Sequence, residues 1–315
     1  MLSYGEQDGF TGKGAWALGL LIVAYLFLGG VGAGAFVVLA LLDFRYGHAG
    51  GSLRATESGF AEGRHLDCLL KRGYAVSFVV LALGAICLLA DLGRPEIAFL
   101  LFTRPTASYI SIGTFSLTAL LLCVAYLAIM RFFSLPAAVR RAKPIALAVG
   151  FAAALFVMAY TGVFLQSMKA VPLWDSPLLI VMFFLSALST GIALVMACSN
   201  GLFVRRPEKN LLSRLAAIDL AVIISELVVC LAYLLSVSMA DLGAQSVERL
   251  LLGDHALVFL AGFVLCGLVL PGILNAYAAR CEHGEWIDLA ISGLVLIGGF
   301  CLRLSLVEAR IHTSI

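Results

Sequence analysis

The most regular feature of the chain is the alternation of long uncharged stretches with shorter polar segments. One such stretch runs over 18 residues from Gly73 to Ala90, and as a helix it is about 27 Å long, close to the thickness of a bilayer core. Eight stretches of this kind predict an all-α polytopic membrane protein: a bundle of eight transmembrane helices in a single integral membrane domain over residues 1–315.

The predicted spans, numbered one to eight, have boundaries that are good to about four residues. They are residues 16–43, 73–91, 107–130, 144–168, 177–203, 215–239, 256–278 and 287–307. Residues 44–72 are expected to form a polar loop, and the remaining connections are short. The second span ends at Asp91-Leu92-Gly93-Arg94-Pro95-Glu96, where glycine and proline stop the helix at the membrane surface.

Composition agrees with this assignment and narrows the class of protein. Hydrophobic residues make up 62% of the chain and charged residues only 13%, which is too apolar for a soluble globular protein. The formal net charge is +2, so nothing in the charge balance indicates nucleic acid as a partner.

The distribution of basic residues predicts the orientation of the bundle. Of the 21 Lys and Arg residues, about two thirds lie in the connections that follow odd-numbered spans. Because such residues are enriched on the cytoplasmic side, those connections are expected to be cytoplasmic. Both termini and the Asp91–Glu96 turn are then expected to face outward, to the periplasm.

Cysteines and histidines are poorly placed for metal chemistry. The eight cysteines include no C-x-x-C pair, and the five histidines lie in loops or at span ends. Iron–sulfur clusters need closely spaced thiolates, and a membrane haem needs axial ligands inside the bundle. We therefore expect no haem, no iron–sulfur cluster and no other metal site in this chain. P-loop, G-x-S-x-G and H-E-x-x-H motifs are also absent.

Ionisable residues inside a span are costly in hydrocarbon and therefore indicate function. Glu226 lies at the middle of span six, with Asp219 seven residues before it and Tyr233 seven residues after it. Seven residues are nearly two helical turns, so the three side chains share one face. One hypothesis is a path for protons or water along this face, and the alternative is a glutamate that serves packing alone.

Arg303 is the corresponding basic residue in span eight. It has three possible acidic partners, Glu226, Asp91 and Asp241. Alternatively, its aliphatic chain is long enough to place the guanidinium group at the membrane surface. The sequence does not choose between these possibilities.

A second group of polar and aromatic residues is predicted in the outer half of the bundle. Tyr25 lies in span one, Tyr160 and Gln166 in span four, and Asp91 and Arg94 at the end of span two. Such groups can hold a quinone head group, with the ring between aromatics and hydrogen bonds to its carbonyls. The alternative is an aromatic belt at the membrane surface, where tyrosines are common.

Small residues on span one predict a close helix contact. Gly30 and Gly34 are four residues apart and so lie on one helix face, which lets a neighbouring backbone approach closely. Tight helix packing is the favoured interpretation, and a groove that admits a flat ligand is the alternative.

Taken together, these stretches resemble the NrfD/polysulfide-reductase family of integral membrane subunits. The resemblance covers almost the whole chain and rests on the order and spacing of several short segments. They are Tyr25–Gly30, Asp91–Pro95, Ala159–Leu165, Pro172–Pro177, Phe183–Gly191, Glu226 and Leu302–Arg303.

The resemblance implies a membrane subunit of a respiratory oxidoreductase in the cytoplasmic (inner) membrane of a bacterium or archaeon. Such a subunit exchanges electrons between the quinone pool, menaquinone or ubiquinone, and a ferredoxin-like 4Fe-4S subunit at the outer face. That subunit connects to a catalytic molybdopterin or multihaem cytochrome subunit. By position, the resemblance assigns the quinone pocket to Tyr25 and Tyr160. The partner is expected to dock on the outer connections, which carry Arg94, Arg104, Lys169 and Arg249.

Two other functions fit the same pattern less well. A secondary transporter would use Glu226 and Asp219 to couple protons to a solute, but spans one to four and five to eight show no clear inverted repeat. A purely structural anchor for an outer-face enzyme would leave Glu226 without a role beyond packing.

Overall fold

The computed structural model describes residues 8–49, 57–91, 109–133, 136–167, 172–199, 209–239, 241–253, 256–278 and 285–308. Throughout this part of the chain the secondary structure is helical, and no strand occurs. Eight of the helices are long and apolar enough to cross a membrane, which confirms the predicted class and number of spans. The eight spans are Gly19–Arg45, Leu66–Asp91, Ser111–Phe132, Lys143–Gln166, Pro177–Ser199, Leu211–Ser238, Leu257–Ala278 and Trp286–Glu308.

Several helices extend beyond the part that can lie in the membrane. The helix of span one runs over Asp8–Ala49, and that of span two over Glu57–Asp91. The prediction of a polar loop over residues 44–72 is therefore wrong for the helical residues at its two ends. Polar residues end a membrane crossing, but they do not end a helix unless glycine, proline or a cap does so.

The remaining helices follow the predicted order. They are Tyr109–Phe132, Ala137–Arg140, Lys143–Gln166, Pro177–Ser199, Lys209–Ser238, Asp241–Leu252, Leu270–Ala278 and Glu285–Glu308. A 3₁₀ turn, Pro172–Trp174, precedes span five, and span seven begins as a π-helix, Leu257–Val269. The helix Asp241–Leu252 replaces what the sequence suggested was a short loop. It buries Val247 and Leu250 and exposes Glu248 and Arg249.

Spans one and five form the centre of the bundle. In the most apolar stretch of each, 72% and 61% of the residues are buried, against 28% in spans two and seven. The outer helices expose large apolar side chains such as Leu122 and Ile224, as expected where a helix faces lipid. The two central helices are therefore the elements on which polar groups can be held away from both lipid and water.

Glycines bring the two central helices into direct backbone contact. A methyl group at Gly34 would overlap the backbone carbonyl of Ala187, and one at Gly191 would overlap the backbone of Gly34. Gly30 faces the same side, where a methyl group would lie 2.9 Å from Arg303 Nη2. The tight-packing interpretation of this glycine pair is thus confirmed, and Gly30 also makes room for a buried arginine.

Gly34→Ala is expected to lower the free energy of unfolding by about 1–3 kcal/mol, because the added methyl group forces two packed backbones apart. The matched control is Gly293→Ala in span eight, where a methyl group meets nothing within 4 Å; its stability should be unchanged or raised by up to about 1 kcal/mol. Unfolding in detergent, followed by circular dichroism, measures both variants. Equal stability of the two would contradict the close contact.

An ionic cluster joins the first four spans at the end where odd-numbered spans finish. The Asp43 carboxylate, 1% exposed, accepts hydrogen bonds from Arg131 at 2.7 Å and from Lys143 at 2.8 Å. The Tyr74 hydroxyl donates to the same carboxylate at 3.3 Å, and Arg131 also reaches Asp67 at 2.6 Å. A carboxylate buried at this depth is stable because two cations and a hydroxyl neutralise it.

Candidate functional site

Two tyrosines from different parts of the chain meet inside the half of the bundle where odd-numbered spans begin. Tyr25 on span one and Tyr160 on span four are each 6% exposed, and their hydroxyl groups are hydrogen-bonded to each other. Both positions were predicted from the sequence as quinone ligands, and the structure places them side by side. Tyrosines of an aromatic belt would instead direct their hydroxyl groups to water, so the belt alternative does not describe this pair.

Aromatic rings and a glycine surround Tyr160. Its ring is nearly parallel to that of Phe156, with centroids 6.5 Å apart, and lies 6.1 Å from that of Phe164. Gly113 on span three lies directly against the Tyr160 ring, where any side chain would overlap it. Phe156 is 45% exposed on the outer surface of the bundle. The aromatic cluster therefore runs from the lipid-facing surface to the buried hydroxyl pair.

The structure does not link the other described members of this group to the tyrosines by hydrogen bonds. Asp91 and Gln166 are both partly buried at span ends, and no hydrogen bond among the described residues joins either of them to Tyr25 or Tyr160. Arg94 lies outside the described residues. So do Arg104 and Lys169 of the predicted docking surface, while Arg249 lies on the exposed face of helix Asp241–Leu252.

The predicted polar face of span six is observed. Asp219 and Tyr233 are 0% exposed and Glu226 is 3% exposed. On the opposite side of the same helix, Ile224 and Leu231 are each 55% exposed. The heptad spacing thus turns all three polar side chains into the bundle. Tyr233 donates a hydrogen bond to the Leu173 carbonyl in the 3₁₀ turn.

Arg303 is buried at the junction of spans one, five and eight. It is 0% exposed and donates to the carbonyls of Leu26 at 3.2 Å and Gly299 at 2.7 Å. Its guanidinium lies between two aromatic rings, 5.7 Å from the centroid of Phe27 and 5.3 Å from that of Phe183. The interpretation in which Arg303 reaches the membrane surface is therefore wrong, because oxygen acceptors and aromatic faces hold the cation inside the bundle.

Ser186 joins Arg303 to Glu226. The Ser186 hydroxyl accepts a hydrogen bond from Arg303 Nη1 at 3.3 Å and is also hydrogen-bonded to the Glu226 side chain. The Glu226 carboxyl and the Arg303 guanidinium attract each other electrostatically across this serine. Of the possible acidic partners of Arg303, the structure thus selects Glu226.

A second polar cluster surrounds Asp219, one helical turn along span five. Ser189 donates to the Asp219 carboxylate at 3.0 Å and Asn275 donates to it at 3.2 Å. All three side chains are buried, at 2% exposure or less. Because Ser186 and Ser189 are three residues apart on one helix, the two clusters follow one another along span five. We call the six side chains of the two clusters the buried polar row: Ser186, Ser189, Asp219, Glu226, Asn275 and Arg303.

The buried polar row keeps two hydrogen-bonding atoms without partners among the described residues, Arg303 Nη2 and Asn275 Oδ1. Buried polar atoms without a partner are uncommon, since each costs about 1–3 kcal/mol.

Sequence reasoning missed three members of the row. Ser186 and Ser189 belong to the segment Phe183–Gly191, which carried the family resemblance but was not assigned a chemical role. Asn275 is an isolated amide in an apolar span, and polar side chains in such spans usually face other helices. That signal was available, but it does not name the partner. Across the described residues no group of three or more His, Cys, Asp or Glu side chains could hold a metal ion.

Comparisons with known proteins agree over nearly the whole length of the chain. The family described as "Polysulphide reductase, NrfD" matches residues 11–314. The chain is similar to the C subunit of polysulfide reductase from Wolinella succinogenes, at 27% identity over 91% of this chain and 92% of that protein. It is also similar to the protein NrfD of Escherichia coli, at 25% identity over 91% of this chain and 93% of that protein.

Proposed function

The chain belongs to the NrfD polysulphide reductase family, and on that basis we propose that it is the quinone-reactive membrane subunit of a respiratory oxidoreductase. It exchanges electrons between the quinone pool, menaquinone or ubiquinone, and a ferredoxin-like 4Fe-4S subunit at the outer face of the cytoplasmic membrane. A molybdopterin or multihaem cytochrome subunit completes the complex. The observation that carries the proposal is the buried Tyr25–Tyr160 hydroxyl pair at the inner end of an aromatic cluster.

The tyrosine pair suits a quinone for two physical reasons. Phenol hydroxyls donate to a quinone carbonyl and accept from a quinol hydroxyl, so one pair can bind both redox forms. The mostly apolar aromatic surroundings bury the flat ring, and the exposed edge at Phe156 gives a route from the lipid phase. When a quinone binds, the two hydroxyl groups give up their hydrogen bond to each other and form hydrogen bonds to the head group instead.

The buried polar row suits the protons that accompany quinone chemistry. Reduction of a quinone to a quinol takes up two electrons and two protons, and oxidation of the quinol releases them. Glu226 and Asp219 are carboxyls that can carry a proton. Ser186 is hydrogen-bonded to Glu226, and Ser189 and Asn275 are hydrogen-bonded to Asp219. Arg303 donates to the carbonyl of Leu26, the residue next to Tyr25, so the row approaches the tyrosine pair across span one. We assign it the movement of protons to or from the quinone site.

Purification of the tagged chain in mild detergent tests the proposal, with spectra and quinone content measured on the product. An iron–sulfur protein, a catalytic subunit and bound quinone should purify together with the chain. Subunits without quinone would favour a structural anchor. A monodisperse single protein without quinone would contradict the proposal and lead to transport assays.

Tyr160→Phe is expected to lower quinol turnover about tenfold while leaving the assembly of the complex intact. The change removes one hydroxyl and little volume, and a hydrogen bond of this kind contributes about 1–1.5 kcal/mol. The matched control is Tyr277→Phe, since Tyr277 is 53% exposed on span seven. Turnover equal to the wild type in both variants would remove Tyr160 from the site.

A further inference from the structure

A cavity of about 680 Å³ opens at the end of the bundle where odd-numbered spans finish. It lies between the end of span three, the short helix Ala137–Arg140 and the start of span four. Its lining combines four cationic side chains, Arg131, Arg140, Arg141 and Lys143, with apolar ones that include Phe133. Tyr126 fixes the rim by donating to the Val139 carbonyl at 2.6 Å.

This cavity is remote from the tyrosine pair. Asp43, whose carboxylate holds two of the lining cations, is 18 residues beyond Tyr25 on the same helix, which corresponds to about 27 Å. Lys143 and Tyr160 are similarly separated along span four. The cavity therefore plays no part in holding the quinone and needs its own explanation.

The four cations are arranged in two layers. Arg131 and Lys143 are 20% and 30% exposed and are held by Asp43. Arg140 and Arg141 are exposed at the rim, and neither forms an ion pair with any of the described residues. Two fixed cations thus lie at the back of the cavity, and two free guanidinium groups lie in front of them. A planar guanidinium binds phosphate oxygens in pairs, which makes such a rim a good phosphate ligand.

The surroundings of the cavity indicate a phosphate that carries hydrocarbon. Phe133 lines the cavity and is 67% exposed, and Ile145, two residues after Lys143, is 66% exposed. A soluble anion makes no use of exposed apolar side chains, whereas the acyl chains of a lipid cover them. Basic clefts between helices at a membrane surface are suited to acidic lipid headgroups for this reason.

We propose that this cavity binds the phosphate headgroup of an anionic phospholipid, with Arg140 and Arg141 on the phosphate and the acyl chains along spans three and four. The bound lipid fills the gap between these two spans at the surface and completes the neutralisation of the cationic cluster.

Lipid binding to the purified chain tests the assignment. Native mass spectrometry should show that the wild type retains phosphatidylglycerol at least about tenfold better than phosphatidylcholine. The double variant Arg140→Gln/Arg141→Gln should lose that preference. The control Arg45→Gln, which removes an exposed cation at the same end of span one but outside the cavity, should keep it.

Three outcomes would overturn the proposal. They are equal retention of the two lipids by the wild type, an unchanged preference in the double variant, and displacement of phosphatidylglycerol by millimolar inorganic phosphate. The last would identify a site for a free anion. The comparison of the two lipids uses the wild type alone, so it tests the lipid-binding proposal even if the double variant unfolds.

Discussion

Arg303→Met is expected to lower the free energy of unfolding by about 3 kcal/mol. The variant removes three hydrogen bonds, to Leu26, Gly299 and Ser186. It also leaves the buried Glu226 carboxyl without its cation, and loss of one partner from a buried ionic pair is strongly destabilising. Titration of the folded protein with sodium dodecyl sulfate in mixed micelles measures the loss.

A double-mutant cycle separates the ionic coupling from the loss of packing. If Arg303 and Glu226 stabilise each other through Ser186, the variant Arg303→Met/Glu226→Gln should be less destabilised than the sum of the single changes by about 1 kcal/mol. Arg214→Met, at an exposed position on span six, should change stability by less than about 0.5 kcal/mol. Additive single effects would show that the two residues act independently.

Glu226→Gln is expected to slow quinol turnover by roughly a hundredfold, the range for loss of a positioned proton carrier, while quinone binding remains unchanged. Glutamine keeps the volume of the side chain and can still hydrogen-bond to Ser186, so the bundle should fold as before. It cannot take up and release a proton as a carboxyl does. Turnover of the reconstituted complex and its quinone content are the two quantities to measure.

The two readouts together decide the role of Glu226. Glu248→Gln is the matched control, because Glu248 is exposed on helix Asp241–Leu252, and it should turn over at the wild-type rate. A Glu226→Gln complex that loses quinone but works normally when quinone is added in excess would assign Glu226 to binding. In that case the division of labour between the tyrosine pair and the buried polar row would be wrong.

The sequence predicted the spans because bilayer thickness sets the length of an apolar stretch. Seven of the eight observed spans begin within four residues of the predicted start. Span two begins at Leu66 rather than residue 73, since Cys68, Leu69 and Leu70 extend its apolar run past the charged pair Lys71 and Arg72. A search for uncharged runs stops at such a pair, although long basic side chains can reach the membrane surface from inside.

The polar residues were predictable as individuals and not as clusters. Glu226 and Arg303 were predicted to be functional because a charge inside a span is costly. The seven-residue spacing predicted that Asp219, Glu226 and Tyr233 share one face of span six. Pairing across helices depends on helix rotation and neighbour order, which no local pattern specifies. That is why Ser186 was not foreseen as the link between the two residues, nor Asn275 as a ligand of Asp219.

For the tyrosine pair, the positions were predictable from the sequence, whereas the contact and its surroundings were not. Tyr25 and Tyr160 are 135 residues apart in the chain, and the resemblance assigned both to one pocket on position alone. The structure adds their contact, the glycine at position 113 that accommodates the Tyr160 ring, and the aromatic route to the surface. It shows no hydrogen bond from Asp91 or Gln166, the last residues of spans two and four, to either tyrosine.

Photoaffinity labelling with a photoreactive quinone, on membranes that contain the intact complex, tests most directly whether a quinone binds between Tyr25 and Tyr160. The proposal predicts that label appears on peptides of spans one and four around these two residues. Excess unlabelled quinone should suppress it, and the double variant Tyr25→Phe/Tyr160→Phe should greatly reduce it. Label confined to other spans, or label that excess quinone does not suppress, would contradict the proposal.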